Sequence, residues 1–489
     1  MTTIGTRDFV GILPELILVA AGLLALFAPR RKIRYIAPGG LLAALVSLAW
    51  LPMGREIFFG TLKVDQFSFI FQALFMFVSL LIVLGSPDYI YIEGEENEAE
   101  YYSLILFATA GMLVVAQAAD LIALFIGFEL SSLSTYALAA FFKREERSLE
   151  AGVKLFIIGA LSSAIALYGI TLIYGAAGTM KLAAIARKLG EGSLLIEELG
   201  MFLILAGFGF KITAVPFHSW APDAYEGAPT TVTALLSTGS KKMGFAALFK
   251  IFLVGFIILK LHWIYLLAAL ALLTMTVGNL AAIPQRNIKR LLAYSSIAQA
   301  GYIMIAFPVA TEYALAGGLF QVITHSLMTA GAFLIVAALS SRGVGEELEE
   351  WSGLYRRAPL MAFSMAVFLL SLAGIPPLAG FASKFVLFSS AVDAAVGPGG
   401  QGWFLWLAIV GVLNSALSVY YYARIIRRMY IVPPTSEERI TVPFSAFLPV
   451  ALALALVILI GLYPNPLISL GLRAAGSLFT SAPPLQPLP

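Results

Sequence analysis

The sequence predicts an all-α integral membrane protein that crosses the bilayer about fourteen times. Of the 489 residues, 60% are apolar and only 12% are charged, whereas an ordinary soluble domain has about 25% charged residues. Apolar runs of roughly 20 residues, the length that crosses a bilayer core, recur along the whole chain. The polar stretches between these runs are too short to form an independent soluble domain.

The composition also limits the chemistry of the chain. It has no cysteine and three histidines, which excludes thiolate-held iron–sulfur clusters, cysteine-type zinc sites and disulfides. It contains no glycine-rich phosphate loop that could bind a dinucleotide. A net charge of +3 from 31 basic and 28 acidic residues is too balanced for a nucleic-acid binder. We expect the partners to be lipid and other membrane proteins, and no cofactor or metal in this chain.

The predicted spans follow one another with short connections from residue 9 onward. The first lacks a basic n-region and a small-residue cleavage site, so we expect it to be retained rather than removed as a signal peptide. The spans lie at 9–28, 35–52, 67–87, 101–118, 121–142, 151–174, 200–219, 230–259, 263–282, 294–308, 313–340, 359–390, 403–430 and 443–470.

The distribution of lysine and arginine predicts the orientation, because basic loops stay on the cytoplasmic side. Most of the basic loop residues lie in odd-numbered loops, at 30–34, 143–147, 286–290, 342–357 and 424–439. Both termini are therefore predicted on the periplasmic, outer side.

A small set of ionisable side chains remains inside the predicted spans. A lysine or glutamate at mid-membrane costs at least about 2.5–3.5 kcal/mol and is tolerated mainly where it faces a hydrated or paired interior. Glu129 lies deep in span five, and Lys211 lies at a comparable depth in span seven. These residues indicate an ion or proton route. The lysines that lie inside the predicted spans are Lys154, Lys211, Lys241, Lys242, Lys250 and Lys384.

Two neighbouring lysines in span eight cannot both face the same direction, because adjacent helical residues point about 100° apart. We favour Lys241 on the route, with Lys242 against a neighbouring helix or reaching a surface. For Lys250 and Lys154, the spacing fits either a position on the route or a side chain that reaches a headgroup.

Prolines predict breaks in two spans. Pro216 follows Lys211 by five residues, and the pair Pro376 and Pro377 must divide span twelve into two half-helices. Such irregular backbone is viable in a membrane only inside protein or beside water. Lys384 follows the second break on its outer side, where it could release a proton.

The two broken spans hold equivalent places in two groups of five spans, four to eight and nine to thirteen. A repeat with an odd number of spans inserts its second copy upside down, and paired interrupted helices in inverted halves mark a transport site. We therefore predict an N-terminal three-helix segment (1–98), a first five-helix repeat (99–260), an inverted repeat (261–432) and a C-terminal helix with a short tail (433–489).

Two histidines lie near this predicted route. His325, in the middle of span eleven, can relay a proton between its two ring nitrogens or remain a hydrogen-bonded core residue. His218, just after Pro216, can hydrogen-bond a free carbonyl or admit protons from the cytoplasmic side.

Four segments resemble the antiporter-like membrane subunits of proton-pumping NADH–quinone oxidoreductase, respiratory complex I. The resemblance covers about 100–430. Within the family, the chain is most similar to the subunit N group. Three features favour this group: the 223–227 sequence, a lysine at Lys384 and a tail too short for a long lateral helix. The four segments are Phe125-Ile126-Gly127-Phe128-Glu129-Leu130, 211–230 with Lys-Ile-Thr-Ala-Val-Pro-Phe-His, 279–297 with Asn-Leu-Ala-Ala-Ile-Pro-Gln-Arg, and 376–384.

The resemblance implies a role for each buried group. Glu129 and Lys211 would be the paired acid and base of a proton channel, Lys241 the connecting lysine and Lys384 the outward release site, and Lys154 matches a lysine of relatives. Lys242 departs from the apolar residue expected after the connecting lysine.

The resemblance also implies a setting for the chain. NADH, FMN, iron–sulfur clusters and quinone would be bound by partner subunits of a hetero-oligomer in a bacterial inner membrane. Two alternatives remain at this stage: a subunit of a multi-subunit Na⁺/H⁺ antiporter or membrane-bound hydrogenase, and a scaffold whose buried charges only lock helices together.

Overall fold

The computed structural model describes residues 4–92, 97–190, 192–434, 436 and 438–481. Residues 93–96, in the polar connection after the third predicted span, and 482–489, in the predicted short tail, lie outside the described residues. The described chain is mostly helical, which confirms the predicted fold class at that level.

The N-terminal half contains thirteen α-helices within the described ranges. They are α1 (Thr6–Gly11), α2 (Leu13–Phe27), α3 (Arg30–Ser47), α4 (Gln66–Gly85), α5 (Pro87–Ile92), α6 (Glu98–Gln117), α7 (Leu121–Ala139), α8 (Glu146–Ala177), α9 (Leu182–Lys188), α10 (Leu194–Ile212), α11 (Trp220–Gly227), α12 (Thr230–Leu235) and α13 (Lys241–Lys250).

The C-terminal half continues with ten further α-helices in the described part of the chain. They are α14 (Lys260–Ala282), α15 (Ile288–Met304), α16 (Ala306–Val309), α17 (Glu312–Ser340), α18 (Leu354–Arg357), α19 (Pro359–Ala373), α20 (Ala379–Val396), α21 (Leu405–Tyr430), α22 (Phe444–Leu462) and α23 (Asn465–Phe479).

Eleven helical segments of the described chain are long and apolar enough to cross a membrane. Two more apolar helices, α2 and α19, are shorter. The protein is therefore a multi-pass membrane protein.

The α17 helix and the segment of α15 and α16 lie at the centre of the bundle. In each of these two segments, 94% of the most apolar stretch is buried inside the protein. The corresponding share is 33% in α8 and 28% in α22. The outer helices expose large apolar side chains, as surfaces that face lipid do. Central helices are thus shielded from lipid by protein on every side.

Two helices end where proline-containing segments begin. The α10 helix ends at Ile212, with Thr213 in the left-handed region, and α19 ends at Ala373, with Gly374 in the same region. A residue with a left-handed backbone conformation just after a helix allows hydrogen bonds to the last carbonyl groups, which have no partner within the helix. Both interruptions lie beside the prolines that predict them.

The predicted eighth span is a composite helix. Two π-helical turns, Leu236–Ser240 and Ile251–Gly255, flank α13, so the span is not one uniform α-helix. Such π-helical turns occur frequently at functional sites. Here they bracket the segment that carries Lys241, Lys242 and Lys250.

A two-stranded antiparallel hairpin, β1 (Arg55–Ile57) and β2 (Leu62–Val64), was absent from the all-helical prediction. Both described ends of the chain contact it. The Phe58 backbone N–H donates to Asp8 Oδ1 at 2.9 Å, and Lys63 Nζ donates to the Ser477 carbonyl at 3.4 Å. The two ends therefore lie on the same face of the bundle as the hairpin.

Candidate functional site

Glu129 lies on α7 and is partly buried. Ser163 of α8 donates its hydroxyl proton to Glu129 Oε1 at 2.5 Å. Because α7 and α8 pack together, this bond joins two neighbouring helices within the bundle.

Lys211 lies one residue before the end of α10 and is only 2% exposed. Its Nζ donates to Ser132 Oγ on α7 at 2.8 Å. The ammonium also lies over the rings of Phe128 and Tyr136, at 5.2 and 5.4 Å from their centroids. Cation–π contacts of this kind stabilise a charged lysine in an apolar environment.

The predicted acid and base are neighbours without a direct ion pair. Glu129 and Lys211 are not within 4.0 Å of each other, and each bonds to a serine instead. Residues three and four apart on a helix share a face, so Glu129, Ser132 and Tyr136 form one polar stripe on α7. The Lys211 ammonium lies against this stripe.

Both lysines at the start of α13 are buried. Lys241 is 1% exposed, donates to Ser296 Oγ of α15 at 2.8 Å and lies 5.4 Å from the Tyr225 ring centroid. Lys242 is fully buried over the Phe245 ring, and its Nζ has no hydrogen-bond partner among the described residues. Of the two alternatives for Lys242, the structure therefore supports a position inside the bundle and not one that reaches a surface.

His325 is fully buried in α17, and neither ring nitrogen has a hydrogen-bond partner in the described part of the chain. The ammonium groups of Lys242, Lys241 and Lys384 are close enough to interact electrostatically with the His325 imidazole. Within the described residues, His325 is thus a buried histidine without a side-chain hydrogen bond, and it lies among the lysines of both halves.

Lys384 of α20 is 3% exposed and binds the end of the preceding half-helix. Its Nζ donates to the Leu372 carbonyl at 2.8 Å and to Ser415 Oγ at 2.9 Å, with the Ala373 carbonyl at 3.4 Å. The C-terminal carbonyls of a helix attract a cation. The break in span twelve therefore creates the binding site of this lysine.

A chain of buried side-chain hydrogen bonds extends from this site toward His325. Gln299 donates to the Leu372 carbonyl at 3.1 Å, and Gln321 donates to Gln299 at 2.7 Å. Ser383 donates to Gln321 at 2.6 Å and accepts from Thr324 at 2.9 Å. Thr324 is the residue before His325.

A second polar branch connects Lys384 with the Lys241 side. The Lys384 ammonium lies 4.8 Å from the Tyr302 ring centroid, and the Tyr302 hydroxyl accepts from Asn279 at 3.0 Å. Asn279 also accepts from Tyr421 at 2.8 Å. The neighbouring Tyr422 hydroxyl bonds at 2.5 Å to Ser295, which precedes the serine that binds Lys241.

Lys154 lies in an ion network at one end of the bundle. Its side chain is 40% exposed and pairs with Glu150 at 2.6 Å and Asp223 at 2.9 Å. Arg290 pairs with Asp223 at 2.7 Å and with Glu226 at 2.9 Å. Burial alone would raise the pKa of Asp223, but the hydrogen bonds from Lys154 and Arg290 and the positive charges of both residues together outweigh burial and hold that pKa below its usual range.

His218 lies in the segment between α10 and α11 and is half-buried, and its Nδ1 has no hydrogen-bond partner among the described residues. The positive charge of Lys241 interacts electrostatically with the His218 imidazole. His218 is therefore placed between the partly exposed end of this segment and the buried lysines.

Several polar residues of the site were not singled out from the sequence. Uncharged polar residues are common in membrane helices, and only a contact with a charged group or a place in the hydrogen-bond chains around one distinguishes these positions. They are Ser132, Ser163, Ser296, Ser415, Gln299, Gln321, Ser383, Thr324, Tyr225, Tyr302 and Asn279.

Known proteins are similar to this chain in sequence and in fold. Residues 118–418 match the family model described as NADH:quinone oxidoreductase/Mrp antiporter, TM. F(420)H(2) dehydrogenase subunit N of Methanosarcina mazei is 43% identical over 96% of this chain and 99% of its own length. NADH-quinone oxidoreductase subunit N of Desulforamulus reducens is 42% identical over 96% of this chain and 98% of its own. A chain of Thermus thermophilus respiratory complex I superposes with a TM-score of 0.77 at 33% identity, covering 94% of this chain and 98% of that one.

Proposed function

The chain belongs to the NADH:quinone oxidoreductase/Mrp antiporter membrane family, and from that premise we propose that it is the proton-translocating subunit N of a respiratory complex I. The observation that carries this proposal is a row of ionisable side chains inside the bundle: the partly buried Glu129 and the buried Lys211, Lys241, His325 and Lys384. Burying each charge costs several kcal/mol, a cost that a scaffold alone would not require.

Partner subunits would supply the redox chemistry. We propose that NADH, FMN, iron–sulfur clusters and quinone are bound by other chains of a hetero-oligomer, because this chain has no cysteine and no nucleotide-binding loop. Relatives named for two different electron donors share this type of subunit. That fits a role in proton movement and not in donor binding.

For the layout in the membrane, we propose fourteen spans with two inverted five-helix repeats, 99–260 and 261–432, after an N-terminal segment at 1–98 and before a C-terminal unit at 433–489. The helix ends at Ile212 and Ala373, each followed by a left-handed residue and prolines, support the equivalence of the two repeats. Both termini would face the outer side of the bacterial inner membrane, in keeping with their shared face of the bundle.

The first step of the proposed route is the exchange of Lys211 between two positions. Burial disfavours a charged lysine, whereas a nearby carboxylate favours it. In the structure Lys211 bonds to Ser132, and Glu129 bonds to Ser163. Redox-driven motion that brings Glu129 and Lys211 together would load the lysine with a proton, and separation would release it.

The next steps pass through the centre of the bundle. We propose that the proton moves from Lys211 to Lys241, then through water and His325 to Lys384, which releases it outward. The hydrogen bonds that join Thr324, Ser383, Gln321 and Gln299 to the Lys384 site support this last step.

Protons would enter from the cytoplasmic side by way of two sites. His218 lies in a partly exposed segment and is near enough to Lys241 for the two groups to interact electrostatically. Lys154, in the ion network with Asp223 and Arg290, would collect protons at the surface. Moving one proton against a potential of 100 mV requires about 2.3 kcal/mol, which quinone reduction would supply.

Replacing Lys211 by alanine tests this function. In the intact complex reconstituted into liposomes, we expect Lys211→Ala to abolish the proton translocation that depends on this subunit, while the complex still assembles. Lys260→Ala is the matched control, because among the described residues Lys260 makes only a long hydrogen bond, 3.5 Å to the Val309 carbonyl, and lies off the route. It should pump like the parent complex.

The outcomes separate the rival functions. Parental pumping by Lys211→Ala would refute the route, and loss of assembly in Lys211→Ala would favour a scaffold. Sodium uptake that persists without quinone would favour an Na⁺/H⁺ antiporter, so the same vesicles should be measured with and without sodium.

A further inference from the structure

One further buried lysine of α13, Lys250, has no role in the route described above. It ends α13, is 4% exposed and lies over the Phe67 ring, 5.6 Å from its centroid. Its Nζ donates to the Ala118 carbonyl at 2.8 Å and to the Ala116 carbonyl. Lys250 therefore binds the C-terminal carbonyls of α6, much as Lys384 binds those of α19.

Lys250 borders a charged cavity of about 230 Å³, here called the Lys250 vestibule. At about 30 Å³ per molecule, a polar cavity of this size holds several waters. Within the vestibule, Lys63 Nζ lies 3.5 Å from Asp65 Oδ2. The charged residues that line it are Glu56, Lys63, Asp65, Lys181, Arg187 and Lys250.

The vestibule lies at the face of the bundle that carries both described chain ends. Lys63 and Glu56 belong to the β1–β2 hairpin, and Lys63 bonds to the Ser477 carbonyl and to Ser481 near the end of α23. The positive-inside distribution predicts this face on the outer side.

The α13 helix, which ends with Lys250, also carries a lysine that can supply protons to the vestibule. Lys242 is fully buried without a hydrogen-bond partner among the described residues, and it lies beside Lys241 in the row. Lys250 follows eight residues later, about 12 Å along the helix axis. Phe245 and Phe249, with ring centroids 6.1 Å apart, lie on the intervening turns of the helix.

We propose that Lys250 and its vestibule form a second proton outlet, which branches from the buried lysine row at Lys242. Lys242 gives its proton through transient water to the Lys250 amine, and the Lys250 ammonium gives it to vestibule water beside Asp65. No electron moves, and each amine regains a proton from the row in the next cycle. This outlet rests on the proposed function, since it would release protons from the same row of buried side chains that supplies Lys384.

A purely structural lysine would only hold the carbonyls at the end of α6. Glutamine separates the two roles, because its amide can donate to a carbonyl but cannot carry a proton onward. Lys250→Gln therefore retains the structural contact and removes the outlet.

Pumping by the reconstituted complex provides the first test. Lys250→Gln alone should lower the number of protons moved per quinone by less than about 1.5-fold, because Lys384 remains. In the Lys384→Ala background, Lys250→Gln should lower the residual pumping at least two-fold. Equal pumping by Lys384→Ala and by the double variant would overturn the outlet.

Labelling provides a test that needs no turnover. The parent chain has no cysteine, so Lys250→Cys in the intact complex can be treated with a charged, membrane-impermeant methanethiosulfonate, with the parent complex as the background. We expect labelling from the outer side at least ten-fold faster than for Phe249→Cys. If Lys250→Cys does not assemble, Ala119→Cys reports on the same vestibule.

The failure of the outlet is distinguishable from that of the proposed function. If pumping still depends on Lys211 while neither Lys250→Cys nor Ala119→Cys is labelled, the outlet is wrong and the main route stands. If Lys211→Ala pumps normally, the route itself is wrong, and with it the outlet that drains it.

Discussion

At the scale of single residues, the structure gives three of the buried lysines, Lys211, Lys241 and Lys384, a neutral hydrogen-bond partner. Lys211 bonds to Ser132, Lys241 to Ser296, and Lys384 to Ser415 and the Leu372 carbonyl. A buried polar group without a partner costs about 1–3 kcal/mol. These neutral partners hold each lysine without trapping it in a strong ion pair, as a proton carrier requires.

Ser132→Ala tests the neutral partner of Lys211. The change removes a buried hydrogen bond worth about 1–3 kcal/mol, which shifts the balance between two lysine positions roughly 5- to 150-fold toward Glu129. We expect slower proton pumping with quinone reduction slowed in parallel, measured in reconstituted complex.

Ser134→Ala is the control for Ser132→Ala. Ser134 is also buried on α7, but in the described part of the chain it bonds only to the Leu130 carbonyl of its own helix, at 2.8 Å. Equal pumping by the two serine variants would contradict a special role for Ser132.

The sequence predicted the charged residues of the site but not their partners. Lysine and glutamate stand out inside apolar spans because their burial is costly. Ser163 lies 34 positions from Glu129, and Ser132 lies 79 from Lys211, so only helix packing brings them together. For Lys250, spacing along the helix left the surface and the interior both open, and the structure decides for the interior.

At the scale of elements, the broken helices position the chemistry. The prolines of span twelve predict the break, and the structure adds that Lys384 binds the carbonyls exposed there. By contrast, π-helical turns in span eight have no clear sequence signal, because glycine and serine occur in many straight helices. The β1–β2 hairpin was missed because each strand has only three residues.

Gly380→Ala tests how closely the two half-helices must approach. A Cβ at Gly380 would clash with the Ser371 carbonyl oxygen, which is backbone and cannot move freely. We expect a loss of stability of about 1–3 kcal/mol from overpacking, together with weaker pumping, because the Lys384 site depends on the same junction. Thermal unfolding of the purified complex measures the first effect.

The control for Gly380→Ala is Gly175→Ala in α8, where an added Cβ meets nothing within 4 Å. Alanine in an open helical position is neutral or stabilising. If Gly380→Ala matched Gly175→Ala in both stability and pumping, the close junction would not be required.

At the scale of the whole molecule, the charges follow one another through the centre of a bundle whose outer surface is apolar. The central helices α15 and α17 contribute Ser296, Gln299, Gln321 and His325, and the outer helices keep lipid away. Such an interior allows water and polar side chains to conduct protons while the bilayer stays sealed.

The central claim is that this row of buried charges is hydrated and continuous. The most direct measurement is a high-resolution cryo-electron microscopy map of the intact complex, both at rest and during turnover. We predict ordered waters that connect Lys211, Lys241, His325 and Lys384 in at least one of these states. Dry packing that separates these four side chains in every state would contradict the account.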